Sequence, residues 1–331
     1  MPSGRPHEHQ EKAMNALAIQ QPASVSPIGF TIAPYPASER LQVVTLSAAT
    51  VKTFKSSCET LSVQAVEYKP FLRFALAEAL DKITDYSLGA FLHATLRNRN
   101  TGGFLLEYEG QPTDAEQANQ EGDFHVQLST AISHMCGIPN HDAMYGKFYA
   151  RFTVENKDNS DSYLRQAHRR MELHNDGTFV NEQTDFVLMM KMAEENMEGG
   201  DSLLLHLDDW QDLNKFYHHP LAKQAIQWGA PPSKNVTTKI HHPVFIDEDV
   251  NGNPQLSYID QFAEPQNRAQ GLYLHAMGES LESEENCINV RVKVGSMLVI
   301  QNYMWLHGRD KFVAHDGLRR ELLRQRGHFT R

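Results

Sequence analysis

From Lys147 onward the chain changes period, and that change limits the folds open to it. Phe148, Ala150, Phe152 and Val154 alternate with Tyr149, Arg151 and Thr153, the two-residue repeat of a strand with one buried face. Further short strands are expected at Tyr163–Leu173, Phe179, Phe186–Met192, Ser202–Leu207, Pro243–Ile246, Leu256–Ile259, Cys287–Val292, Met297–Asn302 and Leu318–Phe329. Turn formers divide them, among them Gly199-Gly200, Asn251-Gly252-Asn253 and Gly295-Ser296. Upstream the spacing is helical, over Val51–Val66, Phe71–Ile83 behind Pro70, Leu88–Arg97 and Asp114–His134. Strands at Leu41–Leu46 and Phe104–Leu106 interrupt it, and one helix at Asp209–Phe216 interrupts the β half. Many short strands flanked by helices predict an α+β fold with a jelly-roll or β-sandwich core under covering helices.

Two histidines and an aspartate suggest what such a core carries. If the segment around His174 is a strand, His174 and Asp176 point the same way and reach one ion. Their Gly177-Thr178 turn would present them at a barrel mouth. His307 follows a buried strand and stands before Gly308, read here as a turn. Two imidazoles and one carboxylate with open positions form the ligand set of non-haem Fe(II) oxygenases. An HxD triplet alone is weak evidence, and chance supplies a second one at His206-Leu-Asp208. Its aspartate opens a helical pattern and reads better as a helix N-cap. Zinc could use the same three ligands for hydrolysis, although no general-base carboxylate accompanies them. Choosing iron therefore requires a cosubstrate site.

The sequence offers one. In Leu318–Phe329 a strand would put Arg320, Arg324 and Arg326 on one face, opposite Arg319, Leu323 and Gln325. Three guanidinium groups there could each grip a carboxylate through two parallel hydrogen bonds. Leu318, Leu322 and Leu323 fit helical spacing equally well, so the local pattern leaves strand and surface helix open. The surrounding charge sharpens the point. A formal net charge of −10 on 331 residues argues against a nucleic-acid partner, and an anionic substrate would need its own local arginines. Cys58, Cys136 and Cys287 lie far apart with no CxxC pair, as isolated thiols of a reducing compartment. No apolar run is long enough for a transmembrane helix. Residues 1–27 read as a polar, disordered leader without a signal-peptide core. Residues 28–331 read as one domain of a cytoplasmic enzyme.

Taken in order, His174-Asn-Asp176, Gly199-Gly200-Asp201-Ser202, His242-Pro243-Val244, His307 and Arg320 with Arg324 resemble the taurine-dioxygenase-like Fe(II)/2-oxoglutarate-dependent oxygenases. Asp158–Arg165, Met171–Gly177, Ser202–Asp209 and Ala230–Asn235 are closer still to the CsiD family of glutarate 2-hydroxylases, over roughly residues 28–329. The resemblance implies a double-stranded β-helix, with His174, Asp176 and His307 holding iron and with 2-oxoglutarate and O2 as cosubstrates. It implies that Ser202, where threonine is usual, contacts the cosubstrate and that Arg320 binds its distal carboxylate. Arg324 matches the second arginine of that strand, and Arg326 extends its face. It further implies hydroxylation of glutarate to 2-hydroxyglutarate in lysine and glutarate breakdown, and a homotetramer.

Glutarate and 2-oxoglutarate are both dianions, and placing them side by side costs several kcal/mol unless each charge is paired. Three arginines on one face suit that demand. Tyr163 and Arg165 are candidate substrate residues, with Tyr149 and Arg151 behind them. The competing readings are the same scaffold acting on a sulfonate or betaine, and a non-catalytic jelly-roll sensor of small acids. A sensor should show a broken triad, and this one is intact.

Overall fold

The computed structural model describes residues 27–112, 121–142, 145–157, 168–230 and 238–330. The expected leader therefore lies almost wholly outside the described residues, as do Tyr163 and Arg165.

Two sheets face each other. The larger has eight strands: β1 (Phe30–Tyr35), β2 (Ser38–Leu46), β3 (Gly103–Tyr108), β4 (Ile138–Pro139), β5 (Ala150–Glu155), β7 (Phe186–Glu195), β15 (Met297–Gln301) and β17 (Arg319–His328), in the order β1-β2-β3-β15-β7-β17-β4 with β5 also paired to β17. The smaller holds β6 (Met171–His174), β8 (Ser202–His206), β14 (Ile288–Val290) and β16 (Trp305–Arg309), in the order β14-β8-β16-β6. Short strands β9 (Ile226–Trp228), β10 (Ile240–His242), β11 (Phe245–Glu248), β12 (Pro254–Leu256) and β13 (Ala263–Glu264) form two outlying ribbons.

Alternation along each strand decides what lies between the sheets. On β15, Met297 and Val299 pack toward the helices, while Leu298 and Ile300 turn inward. On β8, Leu203 and Leu205 face outward and Leu204 inward. Both faces of the central strands β8 and β15 are covered, so these strands read as unbroken apolar runs rather than alternating ones. The same parity sends the side chains of His307 and Arg309 inward with Trp305, because Leu306 belongs to the outer layer. It also sends Arg320, Leu322, Arg324 and Arg326 inward, because Leu323 packs against the helices. The Leu318–Phe329 ambiguity thus resolves as a strand, hydrogen-bonded to β7 on one side and to β5 and β4 on the other.

Helices α1 (Ala48–Cys58), α2 (Val63–Tyr68), α3 (Pro70–Ile83), α4 (Ser87–Arg97) and α5 (Gly122–Cys136) cover the large sheet. The single helix expected over 51–66 is two, because Ser62 caps a new start by accepting from Ala65 N at 3.2 Å. The helix expected from Asp114 begins at Gly122, and residues 113–120 lie outside the described residues. The Asp209–Phe216 helix is a 3-10 turn at Leu207–Asp209 followed by α6 (Leu213–Tyr217). Helix α7 (Arg268–Glu282), which backs the small sheet, was not anticipated. Its signal was present: Leu274, Met277 and Leu281 recur at helical spacing behind Asn267, which accepts from Gln270 N at 2.9 Å. Cys58 and Cys136 are buried free thiols, and Cys287 is half-buried and free.

Three histidines are built into this packing uncharged. Burial pulls His125 and His134 down to about 4 and His206 to about 3. Each titrates near 6.5 once unfolded, so the unfolded chain takes up protons first as pH falls. Stability is therefore full above pH 6.5 and declines below it, by up to about 1.4 kcal/mol per pH unit for each histidine. Urea midpoints are expected to drop steeply between pH 7 and pH 5, and a flat profile there would contradict the burial of these rings.

Candidate metal centre

His174 ends β6, and the antiparallel register places His307 of β16 directly across from it. The two rings lie 4.3 Å apart, centroid to centroid. Nδ1–H of His174 donates to the Glu172 carbonyl at 2.8 Å, which leaves its Nε2 lone pair facing inward. Asp176 is not on the strand, contrary to the alternation argument. It sits in the turn beyond, where Gly177 takes φ +82° and a Cβ would lie 2.6 Å from Thr184 Oγ1. Even so, Asp176 Oδ1 stands 3.9 Å from His174 Nε2 and 4.0 Å from His307 Nε2. One ligand atom from each residue lies within 4.8 Å of the other two. Gly308 is not a turn either: it is inside β16, where a Cβ would meet Met171 O at 2.6 Å. Glycine is needed there for close strand approach.

Two asparagines that sequence reading passed over hold the turn. Asn302 accepts from Asp176 N at 2.9 Å and donates to Asp176 O at 2.9 Å and Thr184 O at 3.0 Å. Asn175 donates to the carbonyls of Asn302 (2.5 Å) and Trp305 (3.1 Å) and accepts from Tyr258 N. Both are almost wholly buried. The only local sign was an asparagine inside the HxD triplet and another ending a buried strand.

The charge states suit a cation. Burial, then His174, pushes His307 down to about 3, so its imidazole is neutral and can ligate. Burial alone would raise the Asp176 carboxyl, but Arg324, His307 and Arg326 together hold it well below the ordinary carboxylate range. Two imidazoles and one carboxylate, with no fourth protein ligand in the group among the described residues, fit a divalent ion that keeps open positions. The decoy separates cleanly. His206 is the residue that caps the 3-10 turn, with Nδ1 accepting from Asp208 N at 3.1 Å. Asp208 is not the cap; it pairs with Arg99 at 2.6 Å.

The three strand arginines share the inward face but not one location. Arg324 Nη1 lies 3.0 Å from Asp176 Oδ2, without hydrogen-bond geometry, and its Nη2 donates to Asp142 Oδ2 at 3.2 Å. Arg326 Nη2 lies 3.6 Å from the same Asp142 oxygen. Arg320, four residues back and so about 13 Å along the strand, belongs with Arg309. Burial, with Arg309 next, draws Arg320 down to about 9, and burial draws Arg309 to about 10. Ser202 faces Arg309 across the β8–β16 ladder. Arg309 lies at the end of β16, outside the arginine-rich last strand, and nothing in its local sequence marks it. Tyr149 and Arg151 are engaged elsewhere, with Glu67 and Glu321 respectively.

A family model described as CsiD matches residues 30–329. The chain belongs to the CsiD family. The CsiD chain is 50% identical over 319 residues to a protein of Pseudomonas putida named glutarate 2-hydroxylase, covering 95% of this chain and 96% of that one. It is 52% identical over 302 residues to a glutarate 2-hydroxylase of Salmonella typhimurium, covering 91% of each. Among solved structures, an asparagine oxygenase bound to Fe(II), hydroxyasparagine and succinate superposes with TM-score 0.68 at 17% identity, over 86% of this chain and 93% of that one. A non-heme iron oxygenase, OrfP, with Fe and alpha-ketoglutaric acid gives 0.66 at 15% identity, over 87% and 94%. These likenesses show that this chain has the oxygenase jelly-roll fold.

Proposed function

We propose that this protein is an iron(II)- and 2-oxoglutarate-dependent dioxygenase. It hydroxylates glutarate at C2 to 2-hydroxyglutarate, releasing succinate and carbon dioxide. One observation carries the reading: an open His–Asp–His donor set shares its barrel with two separate cationic seats, Arg320 with Arg309 and Arg324 with Arg326. Relatives about half identical over most of the chain are named for glutarate, and glutarate together with 2-oxoglutarate would place two dicarboxylates beside one metal.

His174 and His307 would hold iron through Nε2, and Asp176 through a carboxylate oxygen. Bound there with the keto acid, iron supplies the oxygen activation that puts a hydroxyl group on an unactivated carbon. The chain's own groups orient and shield. Arg320 takes the far carboxylate of 2-oxoglutarate, with Arg309 adding positive potential and Ser202 a hydroxyl. Arg324 and Arg326 meet a carboxylate of glutarate, which shares or displaces their contact with Asp142. Leu204, Leu298 and Trp305 line the interior between the sheets and keep water from competing for those charges. Tyr163 and Arg165 complete the substrate side in this proposal.

The test is succinate formation by the Fe(II)-loaded protein across glutarate, sulfonates and betaines. A preference for glutarate of at least about tenfold in kcat/KM is expected. Equal rates with a sulfonate or betaine would move the assignment to that acid, and no acid-dependent turnover would favour a sensor. The proposal extends to a cytoplasmic homotetramer serving lysine and glutarate breakdown. Among the described residues no helix is long and apolar enough to cross a membrane. Light scattering that gives a monomer mass would remove the tetramer from it.

A further inference from the structure

Lys191 is a lysine inside the barrel. It shares the parity of inward-facing Val187 on β7 and is 1% exposed. An ammonium group so placed is costly unless paired. Its partner is Glu194, whose Oε2 accepts from Nζ at 2.5 Å. The other oxygen of Glu194 is also taken: Oε1 accepts from Arg291, which reaches Asp201 at 3.3 Å as well.

This pairing is not the one the ladder suggests. Glu194 stands directly opposite Arg320 in the β7–β17 register, and opposite charges so placed ordinarily attract. Yet among the described residues Arg320 forms no ion pair with any carboxylate, and its Nε has no hydrogen-bond partner. It is 5% exposed, and the Phe312 ring lies 6.0 Å from its Cζ. A buried guanidinium with its neighbouring carboxylate committed elsewhere is a seat that an incoming anion completes.

We infer that Lys191 is a positioning residue for the cosubstrate: with Arg291 it occupies both oxygens of Glu194 and so keeps Arg320 open to a carboxylate. This rests on the reading of Arg320 as the seat of 2-oxoglutarate. Lys191→Met fills nearly the same volume but frees Oε2, which can then cross the ladder and neutralise Arg320.

The probe is 2-oxoglutarate itself, titrated anaerobically into the Fe(II)-loaded protein and followed by its visible charge-transfer absorbance. Lys191→Met is expected to raise its Kd by about tenfold or more. Adding Glu194→Gln to that variant should restore the Kd to within about threefold of wild type, because an amide cannot neutralise Arg320. A lysine that merely packs predicts no rescue. Should Lys191→Met fail to fold by far-UV circular dichroism, Arg291→Met at the rim releases Oε1 and should weaken binding in the same direction. Unchanged Kd in the single variants, or no rescue in the double, overturns the inference. No absorbance band in the wild type, or an unaltered Kd in Arg320→Met, instead overturns the reading beneath it.

Discussion

His307→Ala is expected to abolish turnover, by about 10³-fold or more, while leaving the protein folded. Losing a group that only orients a ligand typically costs 10–100-fold in metal affinity, so losing one of three ligands should exceed that. The imidazole is neutral and its Nδ1 has no hydrogen-bond partner among the described residues, so its removal strands no charge and forfeits mainly contact with His174, about 1–3 kcal/mol. The two effects separate in a thermal melt. Fe(II), or Mn(II) as an air-stable stand-in, should raise the midpoint of the wild type in proportion to ln(1 + [M]/Kd). The same addition should leave the variant where it was. A variant that still shifts with metal would show that 307 is not a ligand.

Asn302→Ala should be the most damaging change outside the ligands. It orphans the N–H of Asp176 and removes the donor for two carbonyls in a fully buried location. Each stranded group costs about 1–3 kcal/mol, partly recovered if water enters, so a net loss of about 3–5 kcal/mol is expected. The same bonds aim Asp176, so metal affinity should fall 10–100-fold as well. Chemical denaturation and metal titration together check this. Unaltered metal binding in a destabilised protein would confine Asn302 to a stabilising role.

Much of the candidate site was legible in the sequence, since ligand chemistry and spacing are local properties. His174, Asp176 and His307 converge as expected, and the decoy at His206 and Asp208 stands apart. The three side chains do converge, but by a different route from the one strand alternation suggests. Asp176 reaches the site from a glycine turn rather than along a strand, and Gly308 serves close packing rather than a turn. Helix α7 went unseen because polar residues and two glycines diluted its apolar stripe. Arg309 and Lys191 went unseen because neither belongs to a local motif.

The amino-acid order alone determined the strand-rich jelly roll, the three candidate ligand residues and the shared face of Arg320, Arg324 and Arg326, because a two-residue period and ligand chemistry need no distant partner. The tertiary structure decided which charges meet. Packing of turns against strands set Arg324 against Asp176 and Asp142, grouped Arg320 with Arg309, and gave Glu194 to Lys191 although the register stands it opposite Arg320. Pairings of that kind depend on which strands become neighbours and on burial that strengthens some contacts over others, and neither is written in any short stretch of chain.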